Sequence, residues 1–201
     1  MLPLLRVAAC AIALTLAGCA HAPAGGTPQD AFLANLRALC GQAFAGRVLV
    51  DVPAAPGNNA FAGKPLVMHV RECGESAIRI PFHVGDDRSR TWVLTRTANG
   101  LRLKHDHRHA DGSDDAVTMY GGDTVAAGSA TRQAFPVDAE SVAMFRREGL
   151  DASVANTWAM EIQPGKRFVY ELSRPGGRLF QVGFDLSRPV QAPPPPWGDT
   201  D

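Results

Sequence analysis

Apolar positions change their spacing along this chain, and each change predicts an element. Between Thr27 and Gly41, residues Phe32, Leu33, Leu36, Leu39 and Cys40 recur at helical spacing. Thr27 suits the N-cap and Pro28 the first helical position, Asp30 complements the positive helix end, and Gly41 is a stop. From residue 46 the period falls to two. Ile78, Ile80, Phe82 and Val84 then alternate with Arg79, Pro81 and His83, the pattern of a half-buried strand.

The same reading predicts about ten strands: Arg47–Val52, Leu66–Cys73, Ala77–Val84, Thr91–Thr97, Leu101–His107, Val117–Tyr120, Arg132–Phe135, Trp158–Ile162, Arg167–Leu172 and Leu179–Phe184. Asn99-Gly100 and Pro175-Gly176-Gly177 mark tight reversals, and Pro81 predicts an edge or a bulge. One late helix over 139–148 interrupts the strands: Asp138 caps it, Gly149 ends it, Val137 can staple to Val142, and Leu150 can meet Phe145. Its expected role is to cover a barrel end or sheet edge. The expected fold class is all-β, antiparallel, a barrel or a sandwich, with an N-terminal helix and this late covering helix. The order of elements is calycin-like by analogy, and fold alone does not fix function.

Composition narrows the classes. A chain of 201 residues, 45% hydrophobic and 20% charged, can bury the core of one domain, which excludes wholesale disorder. Twenty basic against twenty acidic residues argue against nucleic acid as a partner held by charge. No stretch reaches the ~18 uninterrupted apolar residues of a spanning helix.

The N-terminus carries an address. Arg6 precedes the apolar segment Val7–Leu16, which runs into Leu16-Ala17-Gly18-Cys19 and Ala20. An apolar run of this length ending in small residues reads as a processing signal. The LAGC motif resembles the bacterial lipobox. That resemblance implies a signal peptide over residues 1–18, acylation (of the palmitate type) of Cys19, and a lipidated tether over 19–26. It also implies a membrane partner through the lipid, with Ala20 resembling the outer-membrane sorting pattern and the domain facing the periplasm or the cell surface. The remaining divisions are a β-rich domain over 27–190 and a proline-rich tail over 191–201, solvated or with Trp197 docked on the domain. Cleavage would remove Cys10, and acylation would occupy Cys19, leaving Cys40 and Cys73. In an oxidising compartment that pair predicts one disulfide, worth roughly 3–4 kcal/mol in the chain-entropy model. A redox or metal-binding thiol pair is disfavoured by the absence of CxxC spacing.

The segment carrying candidate chemistry is Leu101 to His109, LRLKHDHRH. On a strand, His105, His107 and His109 would share the face of Leu101 and Leu103, opposite Arg102, Lys104, Asp106 and Arg108. Such imidazoles can converge on a transition metal, or on haem iron, with Asp111, Asp114 or Asp115 as a further ligand or ring-orienting group. Against this, Asp111-Gly112 announces a turn, which would make the histidines a solvated hairpin tip. Arg88 and Arg90 in Asp86-Asp87-Arg88-Ser89-Arg90 are candidate anion ligands, or members of a self-paired loop. His69 and His83 read as hydrogen-bonded sheet histidines, one of which a barrel could bring towards His105. No hydrolase, zinc-protease, phosphate-loop, dinucleotide or EF-hand motif occurs.

GLRLKHDHRHADGSDD, followed by TMYGG and NTWAMEI, is similar to a group of uncharacterised bacterial secreted or lipoprotein sequences, over roughly Phe32 to Val190. The resemblance implies one compact domain and no activity. The sequence therefore favours a membrane-anchored β domain binding a small ligand or an envelope protein, with Trp92, Trp158, Phe168 and Tyr170 as cavity residues. A metal- or haem-dependent protein using His105, His107 and His109 is the alternative, and no cofactor is required by the first reading.

Overall fold

The structure is a computed structural model that describes residues 26–54 and 60–199. The expected signal peptide, Cys19 and all of the expected tether but Gly26 lie outside the described residues. Helix α1 (Pro28–Arg37) begins with a full capping box: the Asp30 N–H donates to Thr27 Oγ1 (3.2 Å) while the Thr27 N–H donates to the Asp30 carboxylate (2.9 Å). Eleven strands follow: β1 (Ala43–Val52), β2 (Leu66–His69), β3 (Glu72–Cys73), β4 (Ala77–Val84), β5 (Asp87–Thr97), β6 (Gly100–His107), β7 (Tyr120–Asp123) and β8 (Arg132–Pro136), then β9 (Thr157–Gln163), β10 (Arg167–Arg174) and β11 (Arg178–Val190). Helix α2 (Ala139–Arg147) and a 3-10 turn (Asp151–Ala155) lie between β8 and β9.

Every pairing is antiparallel, in the order β7-β6-β5-β4-β2-β1-β11-β10-β9-β8, with β3 on β4. The fold is thus the all-β class expected, and it resolves to a nearly closed barrel rather than two sheets. The remaining edges, β7 and β8, are consecutive strands that meet at a seam. There the Asp138 N–H donates to the Gly121 carbonyl (2.9 Å), and the Gly121 N–H donates to Ser141 Oγ on α2 (2.8 Å). The approach is so close that a Cβ on Gly122 would run into the Pro136 carbonyl oxygen, and one on Gly121 into that of Leu103. The late helix therefore covers the seam, as its position after β8 allows.

Where elements differ from expectation, the cause is local. Leu66–Cys73 is two strands, because the chain leaves β4 after Met68 and rejoins it at Glu72. Pro81 faces that interruption, so an interior strand tolerates its missing N–H. The strand expected at Val117–Tyr120 begins only at Tyr120 and runs on through Gly121 and Gly122 to Asp123, since Met119 adopts a positive φ of 53°. The proline-rich tail is docked: the Trp197 N–H donates to the Arg88 carbonyl (3.1 Å), Arg88 donates to the Pro195 carbonyl (2.9 Å), and Pro196 is buried.

The barrel has one plugged end. Phe32 and Leu36 of α1 are fully buried in the core. The helix also reaches the surrounding loops, with Asn35 donating to the Ala130 carbonyl (2.8 Å) and Arg37 to that of Gly74 (2.9 Å). Just beyond it the Gly41 N–H donates to the Val70 carbonyl, and Cys40 is disulfide-bonded to Cys73 with Cα atoms 6.2 Å apart. These contacts fix α1 against β3 and the loop that leads into β8.

Candidate functional site

The opposite end is open, and a cavity of about 310 Å³ descends from it into the barrel. Strand alternation builds it. Inward positions on β4, β5, β6, β9, β10 and β11 are apolar near the plug, and several become polar towards the opening: Trp92 gives way to Arg90, Leu103 to His105 and His107, and Leu172 to Arg174. Stacked rings line the wall. Trp92 lies between Phe82 (centroids 5.0 Å) and Tyr170 (4.5 Å), and Trp158 lies 5.7 Å from Tyr120. Phe145 of α2, and Leu150, Ser153 and Asn156 around the 3-10 turn, complete the side left by the short β7. At the rim Phe61 packs on Phe180 (4.9 Å).

The strand of histidines splits as its pairing dictates. His105 and His107 point into the cavity, as alternation with Leu101 and Leu103 requires, whereas Arg102, Lys104 and Asp106 face outward and pair with Asp123, Asp138 and Arg79. β6 ends at His107, and His109 is an exposed residue of the following turn, its N–H donating to the Ser113 carbonyl (2.9 Å). The expected turn chemistry at Asp111-Gly112 accounts for this break: Gly112 has a φ of 86°, and Asp111 accepts from the Ser113 N–H. Asp114 pairs with Arg108, and Asp115 accepts from the Val117 N–H. His105, His107 and His109 are therefore not one cluster, and among the described residues no three His, Cys, Asp or Glu side chains are placed to hold a metal ion.

His105 and His107 are instead members of a tyrosine network. The His105 Nδ1 lies 3.1 Å from the Tyr120 carbonyl and must donate to it, which leaves Nε2 to accept from the Tyr170 hydroxyl at 2.8 Å. The His105 ring stacks on that of Tyr120 (4.6 Å, 9°), whose hydroxyl lies 3.3 Å from His107 Nε2. Burial, helped by neighbouring His107, pushes His105 down to about 3, and burial with Arg90 pushes His107 down to about 4. Burial raises the Tyr120 hydroxyl to about 12 and that of Tyr170 well above its ordinary value. All four groups are neutral at pH 7, so the wall offers polarity without charge.

Among the described residues, charge enters the cavity only at the rim, through Arg90, Arg174 and Arg178. Arg90 pairs with Asp87 (2.6 Å) and lies over Phe61, and Arg178 pairs with Asp51 and lies over Phe180. Arg88, expected beside Arg90, lies on the other face of β5, where it holds the tail. The two therefore form no joint anion site. His69 and His83 are also buried away from the cavity, and His83 Nε2 has no hydrogen-bond partner. Of the four aromatics expected to line a cavity, Trp92, Trp158 and Tyr170 do so, while Phe168 lies deeper in the core.

Sequence reasoning passed over Arg174 and Arg178, which flank the Pro175-Gly176-Gly177 turn. The signal was present. Phe168, Tyr170, Leu172 and Arg174 continue one alternation, as do Arg178, Phe180 and Val182, so both arginines fall on the inward face. Tyr120 was missed because it was placed at the end of a strand rather than its start. Compared with protein-family models, curated proteins and solved structures, the chain finds no match.

Proposed function

We propose that this protein is a small-molecule binding protein, with its ligand held in the open end of the barrel and the domain carried on a bacterial envelope membrane by acyl chains on Cys19. The cavity carries the ligand reading. It is lined by stacked aromatic rings with few convergent polar groups, and at about 310 Å³ it falls at the lower end of the range of small-molecule sites. An interior filled by side chains would have left a purely structural barrel. The rings contribute apolar contact area, and the neutral His105–Tyr170 and His107–Tyr120 pairs contribute directional hydrogen bonding that orients a guest. The LAGC motif supports the anchor, and an envelope protein remains the alternative partner.

The ligand reading is tested with the neutral dye N-phenyl-1-naphthylamine. Saturable binding to one site is expected, with quenching of Trp92 and Trp158, and it should be lost in Val117→Trp, which fills the cavity from its wall. No saturable binding, or equal binding by the filled variant, refutes it. The anchor is tested by detergent-phase partitioning of the full chain, which Cys19→Ser should abolish.

A further inference from the structure

The three rim arginines differ in how they are neutralised. Arg90 and Arg178 each have a carboxylate partner, Asp87 and Asp51. Arg174 has none among the described residues. Its one hydrogen bond goes to the Ala152 carbonyl (3.0 Å), and its Nε is buried with no acceptor at all. Moreover, Arg174 and Arg178 are directly opposed across the β10–β11 hairpin, where like charges repel. No Asp or Glu side chain lines the cavity among the described residues. A guanidinium with a buried, unsatisfied N–H, set opposite a second cation and aimed into an apolar cavity, lacks an anion that the protein does not supply.

We infer that the ligand is a small apolar acid, a ring- or chain-bearing monocarboxylate, whose apolar body lies among the cavity's aromatic rings and whose carboxylate is held at the rim by Arg174 with Arg178 beside it. This rests on the ligand-binding reading above and names the class of ligand. One acid group matches one unneutralised guanidinium. A carboxylate oxygen would accept from the orphaned Arg174 Nε–H and relieve the Arg174–Arg178 opposition. Burial and Arg178 both hold the Arg174 guanidinium below its ordinary value, the direction that an absent counter-anion produces. Arg90, turned onto Phe61 and paired with Asp87, flanks the rim as a cation that already has its counter-charge.

The test uses two matched pairs of probes titrated into the intact domain by calorimetry: 2-naphthoate against 2-naphthylmethanol, and decanoate against decanol. The acid of at least one pair should bind about tenfold or more tighter than its alcohol, the scale of one charge-assisted hydrogen bond. Arg174→Gln should erase that preference, weakening the acid by about tenfold more than the alcohol. Arg47→Gln, which removes the same charge from the exposed outer face of β1, should leave the preference intact. Equal binding of acid and alcohol overturns this inference and leaves the ligand reading standing. An acid preference that survives Arg174→Gln also overturns it, and one lost equally with Arg47→Gln reduces it to the general field of the protein. If no member of either pair binds up to about 1 mM, a Kd already near the weak limit of specific recognition, the ligand reading fails with it.

Discussion

The two ends of this barrel are made from the same strands and solve opposite problems. At the plugged end most polar groups find partners within the chain, the buried Gln133 Oε1 being an exception. The α1 cap accounts for its first N–H groups, Phe32 and Leu36 fill the interior, and a disulfide ties the helix to β3. At the open end the chain leaves demands unmet. Inward positions carry imidazole, phenol and guanidinium, and one buried Arg174 N–H has no partner. Stability is concentrated where the polar groups are matched, and binding capacity where they are not.

Removing the disulfide breaks the comparison most forcefully. Cys40→Ser/Cys73→Ser releases a loop with a sequence separation of 33. It should lower the unfolding free energy by about 3–4 kcal/mol, read by urea denaturation, while dye affinity at the far end of the folded protein stays the same. A parallel loss of affinity would mean that the ends are not independent.

Acidification acts next, and on the open end. His105 and His107 titrate near 3 and 4 in the folded protein, through burial above all, and near 6.5 when unfolded. The unfolded chain therefore binds more protons between those values, so the histidine contribution is complete above about pH 6.5 and is lost as pH falls towards 4, by at most about 1.4 kcal/mol per pH unit for each. His83, pushed to about 4 by burial and Arg88, adds to the same slope from outside the cavity. Urea midpoints at about pH 7 and pH 5 measure the sum, and His105→Gln should flatten the dependence. A flat wild-type profile would mean that the imidazoles are not held neutral.

The smallest effect has the most telling sign. Arg174→Gln removes a cation that opposes Arg178, so the ligand-free protein should change by no more than about 0.5 kcal/mol, and in the stabilising direction. Thermal melts of the ligand-free variant check it. A clear loss of stability would make Arg174 a structural residue of the rim.

Much of this architecture was legible because alternation is a backbone property. Ile78 to Val84 and Leu101 to His107 announced both their strands and their inward faces, and Asp138 with Gly149 bracketed α2. The barrel rather than a sandwich was not legible. It depends on β1 pairing with β11, a contact between opposite ends of the domain to which no local pattern points. The site was half legible for a related reason. Alternation placed His105 and His107 on the cavity side, but which strand ends lie at the same mouth is a matter of topology, and that brings Arg90 of β5 to the same rim as Arg174 and Arg178. His109 was carried one step too far, because the strand period says nothing about where a turn begins.

The seam glycines bear on how such a chain can diversify over generations. Every other amino acid at position 122 puts a carbon into the backbone of Pro136, so a lineage could alter it only by redrawing the approach to α2 in the same step. No comparable backbone collision constrains the rim arginines, which can be exchanged one at a time. Descendants of this protein would change what they capture sooner than they change how the barrel shuts.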